Sequence, residues 1–152
     1  VAYQPHDTMS KILTFLDTNV LISAMCGSGT LADRCFEVID DPNREFVASD
    51  FLKLELLPKP IYNKQKECAE FYNEYICSAS KMLGTSSATT ANAFELASQY
   101  GLGPVDAIHF QTAIEADVAE FITIEKPTKP FFKINHPSVK AISLRESPSA
   151  KE

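Results

Sequence analysis

The chain alternates short apolar runs with stretches of helical periodicity. Ile12–Leu16 is apolar apart from Thr14. It meets the polar triplet Asp17, Thr18 and Asn19, and a second apolar run over 20–22 follows at once. A run without polar alternation fits a strand buried on both faces. Thr30–Ile39 carries Leu31, Cys35, Phe36 and Ile39 on one helical stripe and stops at Asp40, Asp41 and Pro42. Residues 45–48 predict a short strand. Ser49 or Asp50 can cap a helix holding Phe51, Leu54 and Leu57, which Pro58 and Pro60 end. Residues 64–83 continue a helical pattern through Ala69, Phe71, Tyr72, Tyr75, Ile76 and Met82. A Ser/Thr-rich connection over 84–90 leads to a helix over 91–100, closed by Gly101. Gly103 and Pro104 open another, with Val105, Ile108, Ala113 and Ile114 as its apolar positions. Strands over 120–124 and 141–144 flank a proline-containing turn over 126–130. Strands alternating with helices predict an α/β layer fold with a mostly parallel sheet. No internal repeat is present. One domain over 11–144 is expected, with flexible termini at 1–10 and 145–152.

Composition adds limits. The chain has 152 residues, 45% hydrophobic and 22% charged, which is ordinary for a globular domain with a real core. No apolar run approaches the roughly 20 residues of a membrane span. Residues 1–10 lack the apolar core of a signal peptide. A soluble, cytoplasmic protein is expected, with Met9 read as the natural start. The net charge of -6, from 14 basic and 20 acidic residues, excludes a protein that simply coats phosphates. Any contact with nucleic acid must be local and helped by cations. Cys26, Cys35, Cys68 and Cys77 form no C-x-x-C pair, so a zinc site is not expected. Cys68 and Cys77 lie in one predicted helix, roughly 13 Å apart, too far for a disulfide. Reduced, mostly buried thiols are the expectation.

Four acids stand at or near the ends of predicted elements. Asp17 follows the first strand, Glu55 lies in a short helix, Asp106 falls in the first turn of its helix, and Glu125 follows the strand over 120–124. Alone, each has an ordinary explanation; Asp106, for instance, favours a helix N-terminus by about 0.3–1 kcal/mol. Together they point to more. Strand ends and helix starts of a parallel sheet share one edge, where open α/β folds bind ligands. Two carboxylates about 4 Å apart repel by roughly 4 kcal/mol at an effective dielectric near 20. A hard divalent cation, Mg²⁺ or Mn²⁺, relieves that repulsion, with water and substrate phosphate completing its oxygen shell. Such a site suits phosphodiester hydrolysis.

At these residues the chain resembles the PIN-domain nucleases, and within them the small single-domain, VapC-like toxin ribonucleases. LTFLDTNVLISA is similar to the family's opening signature, and GPVDAIHFQTAIEADVAEFITIEKP to its closing one, about 90 residues on. The resemblance spans about residues 12–132. It aligns Asp17, Glu55, Asp106 and Glu125 with the family's metal acids, and Asn19 with its polar neighbour. The fourth acid is usually the Asp of a T-x-D pattern; here Thr123-Ile124-Glu125 stands in its place. The resemblance implies an α/β/α sandwich, Mg²⁺ or Mn²⁺, and RNA-directed endonuclease activity. It also implies the possibility of a toxin–antitoxin pair, with a homodimer and an antitoxin protein as partners.

The remaining candidates are weighed individually. Thr18, Asn19 and Thr123 are expected to orient Asp17 or bond phosphate, against simple turn bonding. Asp117, and below it Glu120, could replace Glu125. His109 follows Asp106 on the same helical face; a general base is one reading, and a packed histidine bonding an acid or backbone is favoured. Lys126, with Lys129 and Lys133, and the lysines flanking Glu55 could meet phosphate or simply face solvent. Phe131 and Phe132 could stack a base, with core packing favoured. Phe71, Tyr72 and Tyr75 are read as core before dimer surface. A second reading is a PIN-fold module that binds RNA or a protein with its chemistry weakened, motivated by Glu125. A third, a phosphoryl-transfer domain with Asp17 as nucleophile, lacks the further motif residues it needs.

Overall fold

The structure, a computed structural model, describes residues 10–145. The expectations for residues 1–9 and 146–152 lie outside the described residues. Among the described residues five strands form one sheet: β1 (Ile12–Leu16), β2 (Arg44–Ser49), β3 (Lys81–Leu83), β4 (Glu120–Thr123) and β5 (Lys140–Ser143). Their order is β3-β2-β1-β4-β5, and every pairing is parallel. Among the described residues seven helices accompany them: α1 (Thr18–Cys26), α2 (Thr30–Ile39), α3 (Asp50–Leu56), α4 (Pro58–Tyr62), α5 (Lys66–Ser78), α6 (Ser87–Tyr100) and α7 (Pro104–Glu115). A 3₁₀ turn spans Pro130–Lys133.

The apolar runs divide residue by residue between the two sheet faces. Leu16, Ala48 and Ile122 face a core built with α1, α2, α3 and α5. Phe15, Val47 and Phe121 face a second core built with α6, α7 and Phe131. The architecture is therefore an α/β/α sandwich. Phe15, Leu16, Phe121 and Ile122 are fully buried, and each such side chain contributes about 1.5–3 kcal/mol. Parallel pairing places every strand's carboxyl end on the same sheet edge, together with the starts of the helices that follow.

Several boundaries differ from expectation. The stretch 64–83 is not one helix: α5 ends at Ser78, and β3 joins the sheet edge beside β2 with Ala48 opposite Met82. A three-residue edge strand is too short to show periodicity. Pro58 does not merely stop α3; it opens α4, where its missing N–H costs nothing. Helix α6 starts at Ser87, inside the Ser/Thr-rich connection. There Ser86 and Thr89 exchange side-chain and backbone hydrogen bonds in a capping box. Gly101 ends α6 with φ of 74°, a conformation glycine adopts freely. Of the four free thiols only Cys35 is buried; Cys68 is half-buried, and Cys26 and Cys77 are exposed. Tyr72, Tyr75 and Phe131 are core residues.

Candidate metal centre on the carboxyl edge of the sheet

Asp17 stands where β1 ends. Its backbone N–H still bonds the Ile122 carbonyl of β4 at 2.9 Å, so the sheet fixes its position. Its Oδ1 accepts the Thr18 N–H at 2.9 Å and caps α1. Its Oδ2 accepts the Thr123 hydroxyl at 3.0 Å. That hydroxyl in turn accepts the Glu125 N–H at 3.1 Å and faces the Asn19 amide at 3.4 Å. Asn19 Oδ1 accepts the Ile124 N–H at 3.3 Å. The polar triplet after β1 and the segment after β4 thus interlock, which sets where Glu125 begins. Asn19 and Thr123 are joined to this hub, and Thr18 enters it through its backbone.

Asp17 is only 3% exposed. Burial pushes its carboxyl up to about 6; His109, the Thr123 hydroxyl and the Thr18 N–H pull it down, and Asp106 pushes it up. Asp106, in the first turn of α7, is also raised. Burial is the main cause, Glu125 adds to it, His109 opposes it and Glu55 adds a little more. Asp106 therefore acts on Asp17 and itself feels Glu125 and Glu55, so the four predicted acids share one edge.

They do not meet as equals. Among the described residues, no three His, Cys, Asp or Glu side chains already surround one point as metal ligands. Asp17 is turned toward Thr18 and Thr123. Glu55 is held by His109, whose Nε2 contacts Glu55 Oε1. His109 is fully buried, with ring centroids 5.6 Å from Phe15 and 5.6 Å from Phe51. The packed histidine bonding an acid is the arrangement found. A Mg²⁺-type ion needs only one or two protein carboxylates, the rest of its octahedron being water and phosphate. Two hard carboxylates raised by burial, the buried Asp17 and the half-buried Asp106, fit that requirement. A closed all-protein cage does not.

Other predicted residues fall elsewhere. Asp117 lies in the exposed turn between α7 and β4, in a left-handed conformation with φ of 57°. It precedes β4, so the parallel sheet puts it at the amino edge, opposite Asp17, and it cannot replace Glu125. Glu120 opens β4 at that same far edge, bound to Thr14 and Arg44. Lys126 is exposed beside Glu125. Phe132 packs against the second core. The His109–Glu55 pairing was invisible in sequence, because the partners are 54 residues apart and neither motif names the other.

A doubly wound, all-parallel domain with carboxylates gathered at the sheet's carboxyl edge is the class this geometry defines. The chain belongs to the PIN domain family, whose sequence model matches residues 14–124. Among curated proteins none matches the chain. Solved structures similar in fold include a toxin–antitoxin complex from Klebsiella pneumoniae, at 21% identity and TM-score 0.63, covering 88% of this chain and 98% of that one. VapBC2 from Rickettsia felis, bound to a DNA fragment from its promoter, is similar at 18% identity and TM-score 0.64, over 87% and 98%. DNA-bound VapBC from Salmonella typhimurium is similar at 13% identity and TM-score 0.55, over 88% and 99%. No described helix is long and apolar enough to cross a membrane.

Proposed function

We propose that this chain is a divalent-metal-dependent endoribonuclease, with residues 11–144 as its single PIN domain. The observation that carries the proposal is that two acids raised by burial, Asp17 and Asp106, share the carboxyl edge of the sheet, where Asp106 adds to the elevation of Asp17 and Glu125 and Glu55 to that of Asp106. Both disfavour their own ionisation, and a cation of charge two reverses that preference. Asp17 and Asp106 would hold Mg²⁺ or Mn²⁺. Glu125 and Glu55 would act from the flanks, directly or through water. When bound, the ion would supply activation of a water and charge neutralisation at the phosphate. The chain's own contribution is positional. Thr123 and the Thr18 N–H fix both oxygens of Asp17, Asn19 ties the Glu125 segment to β1, and Lys126 offers a charge for backbone phosphate.

The likeness to solved toxin–antitoxin complexes supports a toxin role with an antitoxin protein as partner; to this we add, as part of the proposal, a homodimer as its working state and the cytoplasm as its compartment. Cleavage of a mixed RNA pool with Mg²⁺, with Mn²⁺ and with chelator tests the reaction. Cleavage by wild type that Asp17→Asn abolishes, with circular dichroism unchanged, is the expected result. Metal-independent cutting, or equal cutting by the variant, defeats the proposal. No cutting under any condition favours the RNA- or protein-binding module, for which the Glu at position 125 is the supporting observation.

A further inference from the structure

We propose that His109 is the positioning residue of this site: it orients Glu55 toward the acids of the sheet edge and staples the two helical layers together there. The inference rests on the reading of that edge as a divalent-cation site. Glu55 belongs to α3, whose Leu52 and Leu56 pack in the core on one face of the sheet. His109 belongs to α7, whose Ala107, Phe110 and Ala113 pack in the core on the other. The two layers are separated by the sheet along most of its length. Over its carboxyl edge they meet at His109, which takes Glu55 as its polar partner and Phe51 as a ring neighbour, both from α3.

The two partners are unequally free. Glu55 retains 31% of its side-chain exposure, whereas His109 retains 1%. A glutamate on an exposed helix turn samples many rotamers, and ordering it costs side-chain entropy. His109 has no such freedom. Phe15 of β1 and Phe51 of α3 flank its ring, and its Nδ1 is buried with no hydrogen-bond partner. All of the ring's polar bonding in the described structure is therefore directed at Glu55. A fixed donor on a mobile carboxylate is how outer residues orient metal ligands, and removing one commonly lowers metal affinity 10–100-fold. Asp106, three residues before His109 on α7, feels Glu55. The same helical turn therefore carries one acid and restrains the next.

Manganese binding by the full chain, measured by calorimetry or by loss of the free-ion electron paramagnetic signal, tests this without reference to cleavage. His109→Phe keeps the ring volume and removes the donor. It is expected to weaken Mn²⁺ binding about tenfold or more. His109→Gln places an amide nitrogen near the lost Nε2 and is expected to recover most of that loss. In a Glu55→Gln background, His109→Phe should change the affinity little further. Urea unfolding in chelator should show the two single substitutions to be non-additive. If His109→Phe does not fold, His109→Asn, too short to reach Glu55, takes its place with the same expectation. Wild-type affinity in the His109 variants overturns the positioning role and leaves the functional reading standing. Equal weakening by Phe and Gln reduces His109 to packing and also overturns it. A wild-type protein that binds no Mn²⁺ defeats the metal-site reading itself, and this inference with it.

Discussion

The Thr123 hydroxyl lies 3.0 Å from Asp17 Oδ2, joining the end of β4 to the end of β1 across the central strand pair. Thr123 is fully buried, and the same oxygen accepts the Glu125 N–H. One hydroxyl thus sets the orientation of the first acid and the starting point of the fourth. Strand propensity explains a β-branched residue at this position. The hydroxyl, unlike a methyl group of the same size, serves the site.

Thr123→Val should therefore cost more than its shape suggests. It leaves a buried carboxylate oxygen and a backbone N–H without their partner, a loss of about 1–3 kcal/mol. Urea unfolding at neutral pH measures it. Thr123→Ser, which keeps the oxygen, should restore most of the stability, and cleavage should follow the same order. A Val variant as stable as wild type would show that the hydroxyl is not needed.

Asp17→Asn should stabilise the metal-free protein while abolishing cleavage. In the folded state the carboxyl is raised from 3.8 to about 6. The folded state therefore holds a proton there more tightly than the unfolded chain. Its contribution to stability is fully present below about 3.8 and is lost as pH rises through about 6. At pH 7.5 in chelator, wild type carries a buried charge that Asn lacks, and the variant should be more stable by on the order of 2–3 kcal/mol. Below pH 4 the gain should vanish. Thermal melts across this range measure it, and a variant destabilised at pH 7.5 would mean that Asp17 is not desolvated as its burial indicates.

Asp106→Asn should uncouple metal from stability. Saturating Mg²⁺ stabilises a protein that binds it only when folded, by about 2.7 kcal/mol at a hundredfold excess over Kd. Wild type should therefore melt higher with Mg²⁺ than with chelator. The variant should lose most of that difference, and in chelator at neutral pH it should be no less stable than wild type, because the fold already disfavours the Asp106 charge. A Mg²⁺ shift of unchanged size in the variant would place the ion elsewhere.

What sequence could and could not reveal follows from the range of the interactions. The strands β1 and β4 were legible because both their faces are buried, so Phe15-Leu16 and Phe121-Ile122 read as continuous apolar runs. Asp17 and Asp106 were legible because strand end and helix start are local features that a parallel sheet brings to one edge. The third strand was not, since Lys81–Leu83 is held by pairing to β2 and not by any pattern of its own. The early start of α6 was hidden because Ser86 and Thr89 suit a loop as well as a cap. The state of Glu55 was the least accessible. Its neighbours Leu54, Leu56 and Leu57 say nothing of a histidine arriving from the opposite layer. Asp117 shows the converse: it is near Glu125 in order, but the whole of β4 lies between them and sets them at opposite edges.

The far edge of the sheet offers the control that separates folding from chemistry. There Glu120, 8% exposed, accepts the Thr14 hydroxyl at 3.0 Å and Arg44 Nε at 2.8 Å, while the same guanidinium meets Asp41 at 2.6 Å. Arg44 opens β2 and Glu120 opens β4, on either side of β1, so this pair closes the amino edge of the central strands as Asp17 and Thr123 close the carboxyl edge. Removing one partner of a largely buried ion pair leaves the other charge uncompensated, which costs about 3–5 kcal/mol in enclosed pairs and less where water reaches. Arg44 keeps 20% of its side-chain exposure, which places the expected loss for Arg44→Met at about 2–3 kcal/mol. Because the pair lies a strand's length from Asp17, the variant should bind Mn²⁺ and cut RNA like wild type wherever it remains folded. Chemical denaturation read beside Mn²⁺ titration distinguishes the cases. Weakened ion binding by folded Arg44→Met would mean that the two edges communicate through β1, and that stability and chemistry in this domain cannot be separated by position alone.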